Sequence, residues 1–174
     1  RLLQLKVLLR GSGSPDSSGS GFVVDPSGLA VTNYHVVASA VLEPDRYRLG
    51  WQSAAGVEGE ATVLAVDLRN DLAVIHLGRV QPAMFELRPA QPALANGDKL
   101  YSMGNPLDIG FTVSEGSYNG RVERGVYDLL HFTGALNPGM SGGPAVTADG
   151  KVAGVNVSQM RGGQLVNMLV PVAA

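Results

Sequence analysis

Short apolar runs rich in β-branched residues recur along the whole chain, and Gly, Pro, Asn or Asp separates most of them. Such punctuation leaves little room for long helices, because Gly and Pro weaken a helix interior but serve turns well. With 23 Gly and 10 Pro in 174 residues, many beside these runs, a β-rich fold with many turns is expected. In the first half, residues 2–9, 21–25, 29–32, 46–52, 57–66 and 72–77 read as strands. The Gly/Ser-rich stretch 11–21 reads as a flexible loop, residues 25–28 as a hairpin turn, and residues 35–40 as one helical turn. In the second half, residues 99–103, 111–122, 127–133, 144–147, 151–157 and 164–170 read as strands. Roughly six strands per half suits two barrels or a sandwich. The Pro/Ala-rich residues 81–97 read as a connection between an N-terminal lobe, 1–80, and a C-terminal lobe, 98–174, of one domain.

Several function classes are disfavoured. A formal net charge of -2 gives no broad nucleic-acid footprint. No apolar run approaches the ~20 residues that span a bilayer, so no membrane insertion is expected. Cysteine is absent, which removes disulfides, thiolate catalysis and Cys-ligated zinc. The three His are far apart in sequence, and no His/Glu cluster has ligand spacing, so neither a metal nor another cofactor is expected. The chain opens on Arg1 and shows no signal peptide, and is read as a mature or excised segment.

The sharpest segment is Asn137-Pro138-Gly139-Met140-Ser141-Gly142-Gly143-Pro144. Glycines around a serine let the backbone reach positive φ and approach a ligand closely, so this is either a tight turn or a nucleophile loop. A nucleophilic serine needs a base near neutral pH, and imidazole is the usual one. His76 and His131 alternate with apolar neighbours as strand residues would. His35 stands at a strand end, where rigid scaffolds place working groups. A carboxylate must then orient the imidazole, and local sequence leaves Asp67 and Asp71 as candidates. Asp71 is the more buried of the two by its apolar successors, while Asp67 has Arg69 close by.

Three blocks resemble the catalytic blocks of HtrA/Deg serine proteases, within the trypsin/chymotrypsin-like class. They are Thr32-Asn33-Tyr34-His35-Val36-Val37, Asn70-Asp71-Leu72-Ala73-Val74 and Asn137 to Pro144, in the order His, Asp, Ser. Secondary matches are Gly19-Ser20-Gly21-Phe22-Val23-Val24, Met103-Gly104-Asn105-Pro106, Gly150 to Asn156 and Met168-Leu169-Val170-Pro171, so the likeness covers nearly the whole chain. The resemblance implies an all-β fold of two perpendicular six-stranded antiparallel barrels with the active site between them. It implies a catalytic triad of His35, Asp71 and Ser141. It also implies an oxyanion hole in the Gly139-Met140-Ser141 turn, formed by the Gly139 and Ser141 amides. The expected activity is endopeptidase cleavage of unfolded or extended polypeptides through an acyl-enzyme, in a protein quality-control setting. The alternative is a catalytically silent or switchable peptide-binding module on the same fold. An esterase of another fold is disfavoured, because its His would follow the Ser and no His follows Ser141.

By the family's loop spacing, Ala135 should lie at the base of the primary specificity pocket. Leu136, Val157, Ser158 and Gln159 should take part in its walls, joined by Met168. None of these is charged, so aliphatic P1 residues are expected rather than Arg or Lys. Met140 departs from the small polar residue usual in the family and from the Asp of digestive relatives. It cannot pair with a new N-terminus, so packing or bound substrate must order the loop. Val157 stands where digestive relatives place a Ser that supports the catalytic Asp, which leaves Asp71 to backbone amides near His35. The family also implies flanking PDZ domains, for which this chain has no room, homo-oligomers that are often trimers, and a periplasmic or otherwise extracytoplasmic location.

Overall fold

The computed structural model describes residues 1–105, 110–124, 127–161 and 164–172, with side chains except at 124, 127, 158–161 and 164–166. The first half holds β1 (Leu2–Leu9), β2 (Pro15–Val23), β3 (Leu29–Thr32), α1 (Tyr34–Leu42), β4 (Tyr47–Ser53), β5 (Glu58–Asp67) and β6 (Leu72–His76). The second holds β7 (Lys99–Gly104), β8 (Thr112–Arg124), β9 (Tyr127–Phe132), β10 (Pro144–Val146), β11 (Val152–Arg161) and β12 (Gln164–Pro171). Each half closes into an antiparallel six-stranded barrel, in the orders β1-β2-β3-β6-β5-β4 and β10-β11-β12-β9-β8-β7. Counted from its own first strand, each barrel has the same circular order, although the two halves show no obvious sequence repetition.

Alternation builds the first core. Leu3, Leu5 and Val7 of β1 face inward, and Leu49, Trp51 and Ile75 meet them from β4 and β6. The indole of Trp51 donates to the Leu77 carbonyl at 3.1 Å, which satisfies its buried polar atom. Leu100, Phe132, Leu136 and Leu169 centre the second core. A third cluster joins the lobes: Phe22 of β2 meets Phe85 edge to face at 6.0 Å, beside Val146, Val152, Val155 and Val170. Full burial of such side chains contributes ~1.5–3 kcal/mol each.

The 81–97 connection is stitched to both lobes. Phe85 donates to Val23 O and Arg88 to Val152 O, and Val152 donates back to Glu86 O, each at 2.8 Å.

Two expectations need correction. The stretch 11–21 is not a flexible loop: from Pro15 onward it is β2, paired with β1 through Leu8↔Pro15 to Leu2↔Phe22. Its glycines serve close approach instead. A Cβ at Gly19 would stand 2.6 Å from Val36 Cγ2, and one at Gly21 would stand 3.1 Å from the Val31 carbonyl oxygen. The 35–40 turn is likewise longer than expected, a nine-residue helix that buries Val36 and Val37 against the first core.

Candidate active site

α1 starts where β3 ends, so His35 falls in the helix's first turn. That turn has amide N–H groups with no partner inside the helix. Asp71, from the turn between β5 and β6, supplies two of the missing acceptors. Its carbonyl accepts from Tyr34 N at 3.1 Å, and its Oδ1 accepts from His35 N at 2.9 Å. Its other oxygen, Oδ2, lies 2.6 Å from His35 Nδ1. The carboxylate therefore fixes the backbone and the ring of the same residue, and its charge sits favourably at a helix N-terminus. Asn33, at the N-cap, spends its side-chain amide on the Asp71 carbonyl at 2.9 Å. The His35 side chain is 47% exposed and that of Asp71 26%, which leaves the ring accessible beside a partly covered carboxylate.

Asp71 reaches this position at φ 54, which Asp tolerates better than most residues. Asp67 tightens the same turn. Its two oxygens accept from Asn70 N at 3.0 Å and Asn70 Nδ2 at 2.7 Å. Those bonds hold the exposed Asp67 carboxyl below its usual range. The structure thus separates the two Asp candidates: Asp71 meets His35, and Asp67 shapes the turn that presents Asp71.

Ser141 is the first central residue of the second of two successive turns of one kind. Met140 N donates to Asn137 O at 3.1 Å around Pro138-Gly139, and Gly143 N donates to Met140 O at 3.1 Å around Ser141-Gly142. Gly139 and Gly142 take φ 95 and 88, so both are type II turns with Gly at the position that needs it. Gly142 has no room for a side chain. A Cβ there would stand 2.2 Å from Ser20 O, 2.3 Å from Thr32 Oγ1 and 3.1 Å from Asn33 N. The serine turn is therefore pressed against Ser20 of β2, the last residue of β3 and Asn33, which lies two residues before His35. Ser20 N also donates to Ser141 O at 2.8 Å. Chain segments far apart in sequence meet on one seam between the lobes.

Met140 is 2% exposed and belongs to the second core with Leu100, Leu136 and Leu169. A Cβ on Gly104 would come within 2.7 Å of Met140 Cα, so Gly104 makes the seat for this segment. Apolar packing thus anchors the turn where an ion pair does so in digestive relatives.

The expected pocket residues divide. Ala135 is exposed. Leu136, Val157 and Met168 are 0%, 3% and 9% exposed, so they are core residues that present little surface. The side chains of Ser158 and Gln159 lie outside the described residues. His76 accepts from Gly78 N at 3.0 Å, and His131 lies 3.1 Å from Asn119 Nδ2, so each has its own local partner. Among the described residues no group of His, Asp and Glu could hold a metal ion, and no helix is long and apolar enough to cross a membrane.

Sequence reasoning gave no role to two buried polar residues of the site. Ser20 and Asn156 are both 0% exposed. Asn156 donates from Nδ2 to Met103 O at 3.0 Å and Met140 O at 3.3 Å, and its Oδ1 accepts from Ser102 Oγ. Its backbone accepts from Gly142 N at 3.0 Å and donates to Gly143 O at 2.9 Å. The available signal was a polar residue inside an apolar strand, as in Val155-Asn156-Val157, since buried polar groups require partners.

Comparison with known proteins shows the family and the fold. The sequence model of the trypsin-like peptidase domain family matches residues 19–155. A human protein named serine protease HTRA3 is 35% identical over 172 residues, covering 92% of this chain and 37% of that protein. A Bartonella henselae protein named "Probable periplasmic serine endoprotease DegP-like" is 34% identical over 152 residues, covering 83% of this chain and 28% of that protein. The crystal structure of Deg5 superposes with a TM-score of 0.81 at 25% identity, covering 98% of this chain and 83% of that one. The chain therefore spans well under half the length of these curated relatives.

Proposed function

Because the chain belongs to the trypsin-like peptidase domain family, with HtrA and Deg proteases among its relatives, we propose that it is a serine endopeptidase acting through Ser141, His35 and Asp71. The observation that carries this reading is the doubly tied His35–Asp71 pair, 2.6 Å apart at Nδ1 and Oδ2, on the seam where the Ser141 turn docks. In the proposed reaction, Ser141 Oγ attacks the scissile carbonyl carbon and its proton passes to His35 Nε2. The tetrahedral intermediate collapses as the C–N bond breaks, and His35 returns the proton to the leaving amine. Asp71 keeps the proton on Nδ1 in the resting ring and stabilises the imidazolium that forms. Water then repeats the sequence on the acyl-enzyme and frees the second product.

The negative charge that develops on the carbonyl oxygen is assigned to the Gly139 and Ser141 amides. One such donor is typically worth about 10²–10³ in turnover. An extended substrate is assigned to the backbone of β11 at Val157 to Gln159, by strand addition. In support, β10 begins only at Pro144, opposite Val155, while β11 runs on to Arg161. Unfolded polypeptides present such strands; folded ones rarely do. The location outside the bacterial cytoplasm belongs to this proposal through relatives named periplasmic, and the trimeric state through the family resemblance alone.

The test is hydrolysis of an unfolded polypeptide such as casein. Cleavage by the wild-type chain and none by Ser141→Ala supports the proposal. Equal cleavage by both, or by neither, contradicts it.

A further inference from the structure

Building on the protease reading, we propose that Ser20 is a positioning residue that sets the nucleophile turn against the base across the lobe seam. Ser20 sits in β2 between two glycines and is completely buried. All its polar atoms point into the site's framework. The hydroxyl donates to Gly139 O at 2.6 Å and accepts from Asn105 N at 3.0 Å. The amide donates to Ser141 O at 2.8 Å. The carbonyl accepts from Thr32 Oγ1 at 2.7 Å. A hydroxyl has one proton to give, and this one is spent on Gly139.

The positions of these partners give the inference its direction. Gly139 and Ser141 bracket the turn on the second lobe. Thr32 closes β3 on the first lobe, three residues before His35. Ser20 therefore links the strand that delivers the base to the turn that delivers the nucleophile, with one residue as the whole bridge. The Gly139–Met140 peptide is held at both ends, by Ser20 Oγ at its C=O and by Asn137 O at its N–H. The Met140–Ser141 peptide is held at its C=O by Asn156 Nδ2 and Gly143 N. In a planar trans peptide the C=O and N–H point opposite ways, so anchoring the carbonyls on the protein side aims the Ser141 N–H away from them. Losing the Ser20 hydroxyl would free the Gly139 end of this row and leave the Asn105 amide unpaired. Ser20 touches no reacting atom; its effect passes through the loop.

The experiment compares wild type, Ser20→Ala and Ser20→Cys by kcat, KM, the fluorophosphonate labelling rate and thermal midpoint. Activities are read well below the midpoint. A loose turn misplaces reacting atoms by a fraction of an ångström to an ångström, which lowers kcat and labelling by on the order of 10² while KM stays within about twofold. Ser20→Cys keeps the side-chain shape, slightly enlarged, with a weaker donor, so intermediate kcat at a midpoint above that of Ser20→Ala is expected. It also keeps the test decisive should Ser20→Ala fail to fold. Wild-type kcat and labelling rate in Ser20→Cys, with or without a lowered midpoint, would overturn the proposal. So would a folded Ser20→Ala whose turnover and labelling match wild type. A wild-type chain that neither labels nor cleaves would instead overturn the protease reading on which the proposal rests.

Discussion

Asp71 grips His35 at two points, with Oδ1 on the backbone amide at 2.9 Å and Oδ2 on the ring Nδ1 at 2.6 Å. One carboxylate thus sets where α1 begins and how the imidazole of its second residue faces.

Asp71→Asn retains an acceptor for the His35 amide but loses the charge that fixes the tautomer. Turnover is expected to fall by on the order of 10⁴ with KM little changed. Asp67→Asn is expected to keep turnover within a fewfold, because the Asp67 carboxylate bonds within its own turn, to Asn70, and not to His35. Steady-state kinetics on one ester substrate separates the two, and a larger loss from Asp67→Asn would reverse the assignment. The Asp67 carboxyl is held low by Asn70, so its stabilisation is present above its unfolded pKa and is lost as pH falls through the lower folded value. Asp67→Asn should therefore flatten the acid end of the stability curve.

Met140 anchors the serine turn in the second core, at 2% exposure. Met140→Ala is expected to cost about 2–5 kcal/mol in chemical denaturation and to slow labelling of Ser141. Met140→Leu conserves volume and should cost less than about 1.5 kcal/mol. Equal stability of Met140→Ala and wild type would show that packing does not hold the turn.

The residues assigned to the P1 pocket, Ala135, Leu136, Val157, Ser158, Gln159 and Met168, include no ionisable side chain. Cleavage of a peptide library is expected after aliphatic P1 residues, with weak discrimination of ~1–3 kcal/mol per methylene. Dominant cleavage after Arg or Lys would contradict this.

Much of the strand layout was legible because Gly, Pro, Asn or Asp separates the apolar runs, whereas Leu2 to Leu9 is ambiguous by periodicity and alternates only in its burial. Glycine misled in one place. Gly19 and Gly21 looked like loop residues, yet they mark where strands and side chains crowd too closely for a Cβ. Local sequence also left Asp67 and Asp71 open. Asp67 precedes the four-residue turn 68–71 and Asp71 closes it, and only its folded path, with Asp71 at φ 54, decides which carboxylate meets α1. Ser20 and Asn156 were visible as letters but not as roles, since their partners lie up to 119 residues away. Long-range hydrogen bonds leave no periodic trace in a single sequence.

The central claim is that Ser141 is a nucleophile activated by His35. It is tested most directly by fluorophosphonate labelling followed by mass mapping of the modified peptide. A single adduct on Ser141, abolished in Ser141→Ala and in His35→Ala, is the predicted result. No adduct on the folded wild-type chain, or one that persists in His35→Ala at the wild-type rate, would contradict it.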